Sequence, residues 1–241
     1  MTPSTTNDRA LPGDRPERGP SAWIEPGDLR VGILGGTFDP IHYGHLVIAE
    51  QVREALRLDR VLFVPAALPP HKLDDEVAPA ADRAAMVALA IAGNPAFAMS
   101  EIELRRSGPS YTVDTFRELV DEAAQQGVAR DLYFILSAEA LAGLSGWHEP
   151  AALLGLTRLA VVPRPSSPLP DATHLAAMLP GGAASADRVE CIETVPLAHS
   201  ASDVRDRAAQ GRSIRYLVPP AVEAYMRDHR LYRSDNPRRT A

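Results

Sequence analysis

The sequence has very little cysteine, since Cys191 is the only one. A single cysteine excludes a disulfide within the chain and a cysteine-rich metal site, and it fits the reducing cytoplasm in which we expect the protein. The chain also lacks any run near the roughly 18 apolar residues that a membrane helix needs, so we expect no membrane partner. Residues Met1–Asp28 contain no apolar stretch typical of a secretory signal, and their polar composition predicts a disordered tail.

Positive charge is scarce as well. The 25 Lys and Arg residues are outnumbered by 31 Asp and Glu residues, which gives a net charge of −6. Proteins that bind nucleic acid usually carry a basic face, so we expect no nucleic-acid partner. A small anion remains compatible with this charge, because a phosphate site needs only a few local donors.

The chain of 241 residues is long enough for one α/β domain with tails. We predict that this domain covers residues 29–233 and that residues 234–241 form a polar tail. Apolar runs predict strands, and amphipathic runs between them predict helices. The predicted strands are Val31–Leu34, Val61–Val64, Phe97–Leu104, Leu132–Leu136, Leu159–Val162 and Val189–Val195. The predicted helices are Gly44–Leu58, Ala81–Ala92, Tyr111–Gln126, Ala172–Met178, Ser200–Gln210 and Pro219–Arg230. Such alternation predicts an α/β fold with a doubly wound, mostly parallel sheet.

The segment GGTFDPIHYGH follows the first predicted strand and leads into the first helix. In an open α/β sheet, ligands bind beyond the carboxyl ends of the strands. Gly35 and Gly36 allow the backbone to approach a phosphate closely, and Gly44 gives the same freedom where the helix begins. His42 and His45 are three residues apart, which brings their rings to one side of the first turn. Both could donate hydrogen bonds to a leaving pyrophosphate.

Simpler interpretations of this segment remain open from the residues alone. A Gly-Gly turn can be an ordinary turn, and a His-x-x-His pair can be a surface pair, a core pair or half of a metal site. We find no third ligand at a suitable spacing and predict no metal held by the protein. The usual P-loop and dinucleotide-binding patterns are both absent. The segment by itself indicates a phosphate or nucleotide site.

The pattern Gly-Gly-Thr-Phe-Asp-Pro-x-His-x-Gly-His resembles the signature of the nucleotidylyltransferase superfamily, in which His42–His45 is the HxGH element. The resemblance implies a Rossmann-like architecture with C-terminal helices. It implies that His42 and His45 are catalytic. It also implies that ATP is bound by the following residues of this segment: Gly35, Gly36, Thr37, Phe38, His42 and His45. We expect Asp39 to fix the loop by hydrogen bonds rather than to act as a base.

Three further segments resemble the bacterial nicotinate-nucleotide adenylyltransferases. They are Pro69-Pro-His-Lys72, Gly108-Pro-Ser-Tyr-Thr-Val-Asp-Thr115 and Trp147, which follows the fourth predicted strand. The resemblance implies that the acceptor is bound by Lys72, Tyr111, Thr112 and Trp147.

Each acceptor residue has a physical rationale and a simpler alternative. Lys72 suits a phosphate but could be a solvated lysine. The helix that begins at Tyr111 and Thr112 offers N–H groups to a carboxylate, although Ser110 could simply cap that helix. Trp147 could stack on a pyridine ring or pack in the core.

Two elements depart from the family pattern. The family carries Ser-Ser-Thr-x-x-Arg at a helix start that binds the ATP phosphates, and here the stretch is Ser200-Ala-Ser-Asp-Val-Arg205. We expect Ser200, Ser202 and Arg205 to contact ATP, and we expect weaker ATP binding because Ala201 lacks a hydroxyl.

The second departure is Ser137-Ala-Glu139, where the family usually has Gly-x-Asp. Ser137 and Glu139 are predicted to contact the nucleotide, although the longer Glu139 stem and the Ser137 side chain change the detailed contacts.

The resemblance implies that the protein transfers AMP from ATP to nicotinate mononucleotide, giving nicotinate adenine dinucleotide and pyrophosphate in NAD biosynthesis. It implies Mg²⁺ carried mainly by the ATP phosphates. Two alternatives stay open: another adenylyl- or cytidylyltransferase of the superfamily, for example with a phosphopantetheine acceptor, and a weakly active nucleotide-binding module. The sequence also leaves open a homo-oligomer and the choice between nicotinate and nicotinamide mononucleotide.

Overall fold

The computed structural model describes residues 27–67, 77–106, 108–164, 167–195, 197 and 199–233. Six strands form one sheet in the order β3-β2-β1-β4-β5-β6, and every pairing between them is parallel. The strands are β1 (Arg30–Gly36), β2 (Arg60–Pro65), β3 (Phe97–Met99), β4 (Asp131–Ser137), β5 (Arg158–Val162) and β6 (Val189–Cys191). The predicted doubly wound parallel sheet is confirmed.

Helices cover both faces of this sheet. They are α1 (Tyr43–Ala55), α2 (Ala80–Ile91), α3 (Thr112–Gln125), α4 (Ala138–Ala142), α5 (Pro150–Leu156), α6 (Ala172–Met178), α7 (Ala201–Ala209) and α8 (Pro220–Asp228). Short 3₁₀ helices span Leu144–Gly146 and Gly182–Arg188. None of the helices in the described part of the chain is both long enough and apolar enough to cross a membrane.

Alternate residues of the strands point to opposite faces of the sheet and belong to two separate hydrophobic cores. In β2, Val61 and Phe63 pack with α1, α2, α7 and α8, whereas Leu62 and Val64 pack with α3, α4 and α5. All four side chains are almost completely buried. Burial on both faces explains why the strands are continuous apolar runs rather than alternating ones.

The direction of winding changes at β1. The chain moves from β1 to β2 and β3 on one side, and then returns to β4 on the other side of β1. The carboxyl ends of β1 and β4 therefore flank a topological switch point, where open α/β sheets bind ligands.

Two predicted strands are too long. The strand predicted for Phe97–Leu104 ends at Met99, because the Ser100 hydroxyl accepts a hydrogen bond from the Ile102 amide at 3.3 Å and the chain turns there. Ile102 is fully buried, so its apolar character reflects core packing in a turn. The strand predicted for Val189–Val195 ends at Cys191. Helices α4 and α5 were not predicted, since each is only one or two turns long.

Candidate active site

The loop between β1 and α1 contains the predicted ATP-binding segment. A Cβ atom added to Gly35 would meet nothing within 4 Å, so the backbone there faces open space. A Cβ atom added to Gly44 would lie 2.8 Å from the His42 ring, so that ring can pack against the start of α1 only because residue 44 is glycine. Phe38 is buried, and its ring contacts Phe63 and the edge of His45. Any contact of Phe38 with a ligand is therefore through its backbone.

Both histidines are held by backbone amides. His42 caps α1, and its Nδ1 accepts a hydrogen bond from the Gly44 amide at 3.1 Å. Nδ1 of His45 accepts from the His42 amide at 3.2 Å. An amide can only donate, so neither Nδ1 carries a proton, and the proton of each neutral ring is on Nε2. The structure thus brings the two predicted rings together, with centroids 3.9 Å apart, and gives each a defined tautomer.

The surroundings keep both rings neutral. Burial lowers the pKa of His42 to about 3, with smaller contributions from the neighbouring His199 and Arg164. Burial also lowers the pKa of His45 well below its ordinary value, with His42 and Arg164 acting in the same direction. At neutral pH the pair therefore offers two Nε2–H donors and no charge.

Sequence reasoning missed two of the groups beside these rings. The ring of His199 lies 5.0 Å from that of His42, and Arg164 follows the end of β5 by two residues. Arg164 exchanges two backbone hydrogen bonds of 2.9 Å with Ser167. Arg164 could have been identified from the sequence, because it lies just beyond the carboxyl end of a predicted strand. Nothing in the sequence indicates that His199 lies next to His42.

The start of α7 reaches the same loop. Arg205 donates from Nη1 to the Asp39 carbonyl at 2.8 Å and from Nη2 to the Ser202 hydroxyl at 3.1 Å. Ser200 caps α7 by accepting from the Asp203 amide at 3.1 Å, and its own amide and hydroxyl donate to the Asp203 carboxylate. Ser202 and Arg205 are thus next to the loop, while the Ser200 hydroxyl is used in the cap; the ATP contacts predicted for the three residues stay a prediction.

Asp39 fixes the loop through hydrogen bonds to its carboxylate. Its buried carboxylate accepts hydrogen bonds from the Tyr232 hydroxyl at 2.6 Å and the Ala78 amide at 3.1 Å. Arg205 lies 3.8 Å from the same carboxylate. These contacts match the structural role predicted for Asp39.

A second buried group, Arg83, was not predicted. Its guanidinium donates to the carbonyls of Thr37, Ala66, Ala67 and Ala78, with distances of 2.7 to 3.2 Å. The Thr37 carbonyl therefore points into the protein. Arg83 joins the loop after β1 to both ends of the segment between β2 and α2.

The other side of the switch point is formed by the end of β4. Ser137 caps α4, and its hydroxyl accepts a hydrogen bond from the Ala140 amide at 3.2 Å. Glu139 is exposed in the first turn of α4. Both residues are at the predicted edge of the sheet, but the Ser137 hydroxyl is already paired.

The predicted acceptor residues are only partly described. Lys72 lies outside the described residues. Tyr111 is the N-cap of α3 and Thr112 is its first residue. The alternative that Ser110 caps this helix is wrong, because the N-cap is Tyr111 and no side chain caps the helix.

Aromatic rings gather near the start of α3. The Tyr111 ring lies 4.4 Å from His148, which sequence reasoning did not identify. Trp147 is half-buried, with its ring 5.9 Å from that of Phe134. Trp147 therefore does pack against the core, as the alternative proposed, and it keeps part of its surface free for a ligand.

Comparison with known proteins places this chain in a family. The cytidylyltransferase-like family model matches residues 33–207. The probable nicotinate-nucleotide adenylyltransferase of Roseiflexus sp. (strain RS-1) is 51% identical over 203 residues, which cover 84% of this chain and 98% of that protein. The protein of the same name from Thermomicrobium roseum is 45% identical, over 85% of this chain and 92% of its own length. The chain belongs to the nicotinate-nucleotide adenylyltransferase family.

The fold agrees with this membership. The solved structure of Plasmodium falciparum nicotinic acid mononucleotide adenylyltransferase complexed with APC superimposes with a TM-score of 0.68 at 16% identity, covering 85% of this chain and 97% of that one. The family match spans every site residue discussed above except Tyr232. The hydrogen bond from the Tyr232 hydroxyl to the Asp39 carboxylate thus comes from beyond the matched region.

Proposed function

We infer that this member of the nicotinate-nucleotide adenylyltransferase family transfers AMP from ATP to nicotinate mononucleotide, releasing pyrophosphate and forming nicotinate adenine dinucleotide for NAD biosynthesis. The observation that carries this inference is the pair of neutral imidazoles, His42 and His45, fixed by backbone amides at the switch point. The high identity to relatives named for this reaction supports the choice of acceptor.

The reaction needs no nucleophile from the protein. An oxygen of the acceptor's 5′-phosphate attacks the α-phosphorus of ATP, the bond from that phosphorus to the bridging oxygen breaks, and pyrophosphate leaves in line. The protein's work is then positioning and stabilisation of charge.

His42 and His45 supply the stabilisation in this proposal. Their Nε2–H groups donate to the oxygens of the triphosphate on which negative charge builds as pyrophosphate leaves. Because both rings are already oriented by amides, they need no reorganisation during the step, which is the condition under which such donors are most effective.

The other ATP contacts come from neighbouring elements. The open backbone at Gly35 allows close approach of the triphosphate, and Arg205 presents a planar pair of donors to its β/γ end. Ser202 holds the Arg205 guanidinium at 3.1 Å. Ser200 and Ser137 contribute to ATP binding by capping the starts of α7 and α4, since their hydroxyls are engaged in those caps.

We propose that Mg²⁺ arrives with ATP, where it neutralises charge on the phosphates. In the part of the chain that the structure describes, no three His, Cys, Asp or Glu side chains form a metal-binding group. The groups at the loop after β1 are N–H donors, which suit phosphate oxygens rather than a cation. This chemistry fits a metal held mainly by the nucleotide and water.

The acceptor is proposed to lie on the β4 side. Free N–H groups at the start of α3, near Tyr111 and Thr112, would hold the nicotinate carboxylate. The partly exposed faces of Trp147 and Tyr111 suit the pyridine ring. Lys72 remains the predicted partner of the acceptor phosphate.

The test is a pyrophosphate-release assay with purified protein, ATP and Mg²⁺. We expect release with nicotinate mononucleotide, with nicotinamide mononucleotide and phosphopantetheine run in parallel. Release with phosphopantetheine but not with nicotinate mononucleotide would show a sister enzyme of the superfamily. Tight ATP binding without turnover on any acceptor would show a binding module, and either result would overturn the inference.

A further inference from the structure

His199 forms the end of a row of three imidazoles. The ring centroids of His45 and His42 are 3.9 Å apart, and those of His42 and His199 are 5.0 Å apart. His199 immediately precedes Ser200, the residue that caps α7. The row therefore joins the loop after β1 to the start of α7, the two elements assigned above to the triphosphate.

The three rings differ in their hydrogen bonds. Nδ1 of His42 and Nδ1 of His45 each accept a hydrogen bond from a backbone amide. A second proton on either ring would have to sit on Nδ1, where it would break that bond and place two donors against each other. Nε2 of His199 is buried and has no hydrogen-bond partner among the described residues. No backbone amide donates to this ring in the described part of the chain, so His199 is the member of the row that can take up a proton without losing such a bond.

The charged groups around His199 oppose one another. His42, the N-cap of α1, and His45, in its first turn, are neutral, and Arg164, beyond β5, places positive charge near the row. Asp203, in the first turn of α7, interacts electrostatically with both His199 and His42. A polyanion entering beside the row would add its negative charge to that of Asp203, and an opposite charge within about 4–6 Å favours the charged form of a group.

We propose that His199 is a further triphosphate-binding residue, and that it is the imidazole of this row that becomes charged when the triphosphate binds. The proposal rests on the proposed function for its ligand. It adds a proton uptake linked to ATP binding, in which Nε2 of His199, which has no hydrogen-bond partner among the described residues, becomes a charge-assisted donor to a phosphate oxygen.

The experiment is calorimetry of ATP with Mg²⁺, without acceptor, in two buffers of different ionisation enthalpy at pH 7.5. We expect the wild-type protein to take up a fraction of a proton per ATP bound. His199→Asn is expected to abolish this uptake and to weaken ATP binding about tenfold, the scale of one charge-assisted hydrogen bond. The KM for nicotinate mononucleotide should not change, which separates a direct role from a general loss of structure.

His174→Asn is the matched control, because His174 is exposed on α6 and pairs with Asp171 away from this row. It should bind ATP with wild-type affinity and proton uptake. Equal proton uptake in wild type and His199→Asn, or no proton uptake in the wild type, would overturn this proposal. Either result would leave the proposed function standing. Absence of ATP binding in the wild type would instead contradict the proposed function.

Discussion

β1 and β4 lie side by side and end at the same edge of the sheet, yet the chain leaves them in different ways. Residues 37–42 separate the end of β1 from α1, whereas α4 begins at the residue after β4 ends. At the end of β4, the hydroxyl of Ser137 is used to cap α4. After β1, two histidines keep one donor each for a ligand, because the loop's own amides satisfy their other nitrogens.

The longer loop needs support from distant residues. Tyr232 and Arg205 bind Asp39, and Arg83 binds the Thr37 carbonyl. The turn after β4 needs no such support, because α4 follows β4 directly with no loop between them. We infer that the proposed ligand site depends on a loop held by long-range contacts, and the following variants test the difference between the two turns.

The largest effect is expected at His45. His45→Ala removes one Nε2–H donor, so turnover should fall about 100-fold or more, the scale of losing one transition-state donor. Steady-state pyrophosphate release measures this. Ser137→Ala is the parallel truncation after β4, and a similar loss of turnover in both variants would contradict the distinction between the two turns.

Tyr232→Phe tests the long-range support. It leaves the buried Asp39 carboxylate without its closest donor, which should lower the free energy of unfolding by about 2 kcal/mol. Urea denaturation measures the change. Tyr216→Phe is the matched control, since Tyr216 is 83% exposed and should show little change. Equal stability of the two variants would mean that Tyr232 does not hold the loop.

Much of the loop after β1 could be predicted from the sequence, and its supports could not. The strands, the glycines and the His42–His45 spacing are local patterns, so they are visible in a short window. Arg83, Tyr232, Arg164 and His199 act on residues far away in the chain, and their partners exist only once the sheet has formed. Helix α4 was missed for the opposite reason, since a helix of one turn leaves almost no periodicity.

Low pH should weaken the fold through His42. Its pKa is about 3 when folded against an ordinary value of 6.5, so between these values only the unfolded chain takes up the proton. This contribution to stability is complete above about pH 6.5 and is lost at about 1.4 kcal/mol per unit as the pH falls towards 3.

Urea denaturation at several pH values, compared between wild type and His42→Asn, isolates this contribution. Asn can still cap α1, so the variant should keep the helix and show a shallower decline in stability with falling pH. Identical pH dependence in the two proteins would contradict a buried neutral His42.

The smallest effect is expected after β4. Ser137→Ala should cost about 1 kcal/mol of unfolding free energy, the usual value of an N-cap, and change turnover by no more than about twofold. Thermal denaturation and the pyrophosphate assay give both numbers. A large loss of turnover with unchanged stability would instead give the Ser137 hydroxyl a direct role with the nucleotide.

The proposed mechanism depends on a triphosphate bound at the switch point between β1 and β4. A crystal structure with a non-hydrolysable ATP analogue tests it most directly. We predict phosphate oxygens within hydrogen-bond distance of Nε2 of both His42 and His45, with each Nδ1 still bound to its backbone amide. An analogue bound elsewhere, with neither Nε2 facing a phosphate, would contradict the central claim.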